Sequence, residues 1–177
     1  MTTAWDDYEP YVPLDSVPHH ETTRAQAKKS FEHLMAARPE RERQLRNLLA
    51  ANDIDLGADD TALQQLNDWF ATNVEPNPDD PGRLRNLWYA VVNDVSLYLG
   101  DVLIAREPAL SWAISPGGKR DLAYNKHVVV GFTKVANPKF YVDIDRLVAT
   151  HAHQIIAGKQ VDKEFFVRLL QSAQAKA

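Results

Sequence analysis

The sequence predicts an α+β fold: N-terminal helices around a long central helix (about residues 82–106), a small antiparallel sheet (about 110–142) and two C-terminal helices. Three observations predict it. Large apolar residues fall at Leu84, Leu87, Trp88, Val91, Val92, Val95, Tyr98, Leu99, Val102 and Leu103, the i, i+3, i+4, i+7 period of a helix. After Pro108 the period becomes two, with Leu110, Trp112 and Ile114 alternating with Ser111, Ala113 and Ser115. No crossover helix separates the strand-like segments that follow, so they pair as antiparallel neighbours.

The elements follow in order. Residues 1–20 carry Trp5, Tyr8 and Tyr11 interleaved with Pro10, Pro13 and Pro18. Prolines this dense forbid a helix and favour extended chain. The aromatics make the segment an arm lying across its own domain or across a partner, and they are its candidate binding residues. Thr23 is a predicted N-cap with Gln26 as its capping-box partner, and Ala27, Phe31, Leu34 and Met35 follow at helical spacing. Arg38-Pro39 ends that helix and starts a second, with Leu45, Leu48 and Leu49 inward and Glu40, Arg41, Glu42, Arg43 and Arg46 on a solvated face. Asp59 or Asp60 caps a third, whose stripe is Leu63, Leu66, Trp69, Phe70 and Val74. Residues 75–82, EPNPDDPG, form a turn-rich connector within one domain of residues 1–177.

Pro81-Gly82 is predicted to open the central helix and Glu107-Pro108 to close it, a rod about 36 Å long. Its second side is not wholly polar: Tyr89, Ala90, Leu97 and Ile104 stand beside Asn86, Asn93 and Gly100. A helix apolar on more than one side is covered on both flanks. In the sheet, Pro116-Gly117-Gly118 is a hairpin turn, residues 122–124 a short strand, residues 127–133 (HVVVGFT) the strongest strand and residues 139–142 (KFYV) a last one. Gly131 marks a bulge or a close approach. Asp143 or Asp145 caps the next helix, with Ile144, Leu147, Val148, Ala152 and Ile155 inward and Gly158 as its stop. Asp162 caps the last, with Val161 and Phe166 as a hydrophobic staple.

Composition narrows the function classes. The chain has 177 residues, 45% hydrophobic and 25% charged, with a formal net charge of −4. An acidic balance disfavours nucleic-acid binding, which needs a basic footprint. There are no cysteines, which excludes disulfides, thiolate metal sites and a cysteine nucleophile. No basic start and apolar run of a signal peptide is present, and no membrane partner is expected. The expected compartment is the cytoplasm.

The candidate chemistry is sparse. Asp94, Tyr98 and Asp101 lie at i, i+4 and i+7 on one edge of the central helix. With His127, Asp94 and Asp101 are the candidate catalytic residues, since paired carboxylates and an imidazole serve acid–base work. The rise between the two aspartates is about 10 Å, too far for one metal to be shared by them alone. His151 and His153 diverge on a helix, so the pair does not chelate; His151 falls in the apolar stripe as a core histidine. Asp143-x-Asp145 sits where a strand gives way to a helix and serves capping. Pro116-Gly117-Gly118-Lys119 lacks the full phosphate-loop pattern. No metal site and no cofactor are expected.

One stretch resembles known sequences. Asp94-x-x-x-Tyr98-Leu99-Gly100-Asp101, followed by Leu110-Ser111-Trp112, looks like small uncharacterised bacterial domains in which a helix carrying Leu-Gly-(Asp or Glu) feeds a Trp-bearing strand. The resemblance covers about residues 88–132 and implies a bacterial origin and an α+β fold. Some such domains are thought to be toxin-immunity or other interaction proteins. It carries over no catalytic residue.

The leading expectation is therefore a non-enzymatic protein-interaction or immunity-type factor whose partner is another protein. The alternatives are a small hydrolase or transferase using Asp94, Asp101 and a histidine such as His127, and a small-molecule binding module with its pocket between helix and sheet. A deep pocket lined by Asp94 or Asp101 with His127 favours the enzyme. An apolar pocket with few carboxylates favours the binding module.

Overall fold

The computed structural model describes residues 3–14 and 17–177. Five helices and two strands follow in order: α1 (Arg24–Ala50), α2 (Asp60–Asn73), α3 (Asn86–Arg106), β1 (Ser111–Ile114), β2 (His127–Val130), α4 (Ile144–Ile156) and α5 (Phe165–Gln174). This is the expected α+β arrangement around a long central helix. α3 is that helix, and α1, α4 and α5 all pack on it. Its burial explains its apolarity. α3 is long and apolar enough by composition to cross a membrane, yet 67% of its most apolar window is buried inside the protein.

The core centres on Trp88 of α3, which is fully buried. Trp69 and Phe70 of α2 meet its ring at centroid distances of 5.5 and 5.8 Å, and Trp5 of the arm meets it edge-on at 5.5 Å. Such pairs add about 0.5–1.5 kcal/mol each beyond area burial. Leu45, Leu48 and Leu49 of α1, Leu63 and Leu66 of α2, and Phe166 and Leu170 of α5 close the same cluster.

The caps are largely those expected. Thr23 and Gln26 form a reciprocal capping box at α1. Asp59 accepts from Ala62 N at α2, and Asp143 from Arg146 N at α4. α4 ends in a Schellman turn: Gly158, at φ +66°, donates to Ile155 O, and Lys159 donates to Gln154 O.

Four expectations are corrected. First, α1 runs unbroken through Pro39 rather than splitting there. An interior proline costs about 3 kcal/mol. Ion pairs from Arg38 and Arg41, on either side of it, bind both halves to α3. Arg41 is therefore not on a solvated face; it is 4% exposed. Second, α3 opens at Asn86, not at Pro81-Gly82. The intervening residues fold into their own loop, with Pro76 bridged to Leu84, Arg83 N bonded to Asp80 O and Arg85 N to Glu75 O.

Third, the sheet has two strands. β1 and β2 pair antiparallel in the register Ser111↔Val130, Trp112↔Val129, Ala113↔Val128, Ile114↔His127. Residues 122–124 are turn, and residues 139–142 contribute one bridge, Val129↔Val142. β2 stops at Gly131, where φ is +105° and an added Cβ would lie 2.5 Å from Ala109 O, the close approach expected of that glycine. The strands are joined by residues 115–126, so Pro116-Gly117-Gly118 is part of a long loop and not a tight hairpin turn. Fourth, α5 begins at Phe165, and its N-cap, Glu164, makes no side-chain cap. Asn67 of α2 supplies the cap instead: its Oδ1 accepts from Phe166 N at 3.3 Å while its Nδ2 donates to Lys163 O at 2.7 Å. Asp162 accepts from Glu164 N and pairs with Arg168, but caps no N–H of α5 itself.

Candidate functional site

The acidic edge of α3 is matched by arginines of α1. Arg41 Nε donates to Asp94 Oδ1 at 2.9 Å and Arg41 Nη2 to Asp94 Oδ2 at 2.5 Å, a two-point pair whose side chains are 5% and 0% exposed. Tyr8 Oη donates to Asp94 Oδ2 at 2.6 Å and Asn93 Nδ2 to Asp94 Oδ1 at 3.0 Å. Asp94 is thus filled by four donors. Burial, then the Asp94 charge, pushes the Tyr8 hydroxyl well above the ordinary tyrosine range, so it stays a donor. About two turns along α3, Arg38 pairs with Asp101, whose Oδ1 also accepts from Trp112 Nε1 at 2.8 Å. Both aspartates are ion-paired structural groups in this arrangement.

The arm is fastened through the same region. Asn52 clasps Ala4, accepting from Ala4 N at 3.0 Å and donating to Ala4 O at 2.9 Å. Glu9 N donates to Gln44 Oε1 at 3.0 Å. Of the three candidate binding aromatics, Trp5 and Tyr8 pack against the core, while Tyr11 lies over His33 at 5.8 Å. Downstream, buried Asn125, at φ +62°, donates to Thr22 O at 2.9 Å, and Arg24 Nη1 donates to Asn125 Oδ1 at 3.0 Å. The arm is pinned at both ends and bridges the space between.

Under that bridge lies a cavity of about 530 Å³. Its roof is Pro10, Tyr11, Pro13, Leu14, Val17 and Pro18 of the arm; its walls are Ala27, Phe31 and Leu34 of α1 and Asn86, Tyr89, Ala90 and Asn93 of α3. His127 of β2, Asn125, His19 and Asp145 of α4 complete it. The structure therefore brings His127 to the cavity and leaves Asp94 and Asp101 out of it. Asn93 touches both worlds, lining the cavity and donating to Asp94.

His127 is partly buried and its Nε2 has no hydrogen-bond partner among the described residues. Burial lowers its proton affinity, against the opposing pull of Asp145 and Asp143, so the ring is held toward its neutral form. Ile114 faces it across the sheet, and the Trp112 indole lies diagonally at 5.7 Å. His151, by contrast, is a core histidine, as the apolar stripe implied. It is 2% exposed, stacked on Phe165 at 4.1 Å, and burial lowers its pKa to about 4. A second hollow of about 390 Å³ lies between α4 and α5, floored by Phe140, Leu147, Phe165 and Leu169. No group of three or more His, Asp or Glu side chains among the described residues is arranged to hold a metal ion.

Comparison with protein-family models, curated proteins and solved structures finds no match. The site's chemistry must be read from its own residues.

Some of the site is not legible in the sequence. The expected break at Pro39 hides Arg38 and Arg41 as partners of the acidic edge. Continued through it, the stripe Leu34, Arg41, Leu45 and Leu48 places Arg41 inward. The cavity wall was in plain view: Asn86, Tyr89, Ala90 and Asn93 are i, i+3, i+4 and i+7 on the half-polar side of α3. No signal marked Asn125, whose role depends on its left-handed backbone.

Proposed function

We propose that the chain is a small-molecule binding module whose ligand sits in the cavity under the arm. One observation carries this reading: a cavity of about 530 Å³, walled mainly by apolar side chains, holds a single carboxylate among the described residues and excludes both aspartates of the acidic edge. Binding sites are typically concave, largely apolar and roughly 300–1,000 Å³, with a few polar groups for orientation. Asn93, Asn125 and His127 supply such groups here. The enzyme reading loses support, because Asp94 and Asp101 are engaged by arginines outside the cavity.

The test is a thermal-shift screen of small apolar ligands against the parent and Ala90→Phe, which fills the wall. A ligand at a hundredfold excess over Kd stabilises by about 2.7 kcal/mol, a rise of roughly 5–10 °C for a chain of this size. Loss of that rise in a folded Ala90→Phe supports the reading; equal rises in both proteins sink it.

A protein partner is the second reading, favoured by the outer side of the arm. Val12, which does not line the cavity, is 75% exposed there, and the roof residues Leu14 and Val17 keep 52% and 41% of their surface exposed. Large apolar side chains grouped on a surface mark contact sites more often than scattered ones do. Co-purification of a partner lost on Val12→Asp, with an unchanged melt, is the result that supports it.

A further inference from the structure

We infer that the cavity under the arm takes a cationic amphiphile: an apolar or aromatic body carrying one protonated amine. The inference deepens the binding reading above and rests on it. Among the described residues, Asp145 is the one carboxylate that lines the cavity, and no lysine or arginine lines it. The side chain is partly buried, yet it forms no hydrogen bond and no ion pair with any described residue. Its position in the first turn of α4 suits an acidic residue. The capping task, however, is already performed by Asp143, which accepts from Arg146 N at 2.9 Å. Asp145 is therefore spare as a cap and unpaired as a charge.

The surrounding groups are uncharged or weakly basic. His19 and His127 lie within electrostatic reach of Asp145, and burial holds His127 toward the neutral imidazole. Lys126 acts on both imidazoles from nearby but makes no ion pair with Asp145. A ligand anion would meet the Asp145 carboxylate with no lining cation to offset it. A ligand ammonium would gain a charge-assisted hydrogen bond there. Tyr11, Phe31 and Tyr89 offer aromatic faces on the same walls, which favour a cation over an anion. The apolar remainder, Leu34 and Ala27 with the arm prolines, takes the ligand's body.

The experiment compares three probes of one shape, 4-phenylbutylamine, 4-phenylbutanol and 4-phenylbutyrate, by calorimetry and thermal shift at neutral pH. The amine should bind about tenfold tighter than the alcohol, a gap typical of one good charge-assisted contact, and the butyrate weakest. Asp145→Asn should bring the amine down to the alcohol and leave the alcohol unchanged. Phe31→Ala should weaken amine and alcohol alike. If the butyrate equals the amine, or Asp145→Asn keeps the amine's advantage, the cation inference falls. If the alcohol then still binds and Ala90→Phe or Phe31→Ala weakens it, the cavity reading survives alone. If none of the three probes binds at millimolar concentration, both readings fall together.

Discussion

Gly100→Ala is the sharpest test of how α3 and the sheet fit. In an exposed helix the change would stabilise by about 0.5–1 kcal/mol, because glycine is the poorer helix former. Here the Trp112 indole lies against Gly100, and an added Cβ would overlap its Cζ2 and Cη2 atoms and sit 3.0 Å from Cε2. The indole cannot swing away freely, since its Nε1 donates to Asp101, which is also held by Arg38. Overpacking of this kind costs about 1–3 kcal/mol. Loss of a hydrogen bond to a charged acceptor adds roughly 1.5–3 kcal/mol if the ring is expelled. Net of the helix gain, Gly100→Ala should destabilise by about 3 kcal/mol, lowering Tm by roughly 6–12 °C. Urea melts of the parent, Gly100→Ala, Trp112→Ala and the double variant measure it. With Trp112 removed, Gly100→Ala should become neutral or stabilising by up to about 1 kcal/mol. An equal loss in both backgrounds would refute the argument, because the indole would then not be the obstacle.

Further outcomes follow from the buried charges. Asp94→Ala strands Arg41 in the core and should cost about 3–5 kcal/mol by urea melt. A loss under about 1 kcal/mol would show the pair to be solvated. Tyr8→Phe removes one of the donors to Asp94 and should cost about 1–2 kcal/mol without altering the helical circular dichroism. For His151 the folded pKa is depressed to about 4 from an ordinary 6.5. The unfolded chain therefore binds the proton first, and stability is lost as pH falls from about 6.5 toward 4, by up to roughly 3 kcal/mol. His127, whose affinity is lowered in the same direction, adds to that slope, so His151→Phe should flatten the pH profile only in part. An NMR titration of His151 near 6.5 would remove its share.

How much could be seen beforehand depended on the range of the forces involved. The α3 stripe, the Thr23 cap and the Gly158 stop are local and stand where their spacing places them, and of the two aspartates open at α2 and at α4 the first of each pair, Asp59 and Asp143, is the cap. Several failures are at places where a distant group overrides a local rule, whereas the late start of α3 and the turn at residues 122–124 follow from bonds within their own loops. Pro39 breaks helices unless both flanks are tied elsewhere, and here the ties run to residues 63 and 53 positions away. Asp162 reads as a cap, but Asn67, from another helix, does the capping. The candidate catalytic set mixed one cavity residue, His127, with two that the same long-range arginines had claimed. Asp145, dismissed with Asp143 as a capping pair, differs from it only in three-dimensional surroundings. Leu-Gly-Asp before a Trp-bearing strand has a plain physical basis in this chain: the glycine leaves room for the indole and the aspartate holds its N–H.

The double anchoring of the arm bears on the order in which the molecule assembles. The Tyr8–Asp94 bond closes a loop of 86 residues and the Asn125–Thr22 bond one of 103. Neither can form until α3 and the loop before β2 are in place, and such closures come at an entropic cost that grows slowly with length. The helices, built from near neighbours, need not wait. The arm is therefore seated after the helices it lies across. Until it is, Trp88 lacks its Trp5 cover, Arg41 and Asp94 lack the Tyr8 hydroxyl, and the cavity has no roof.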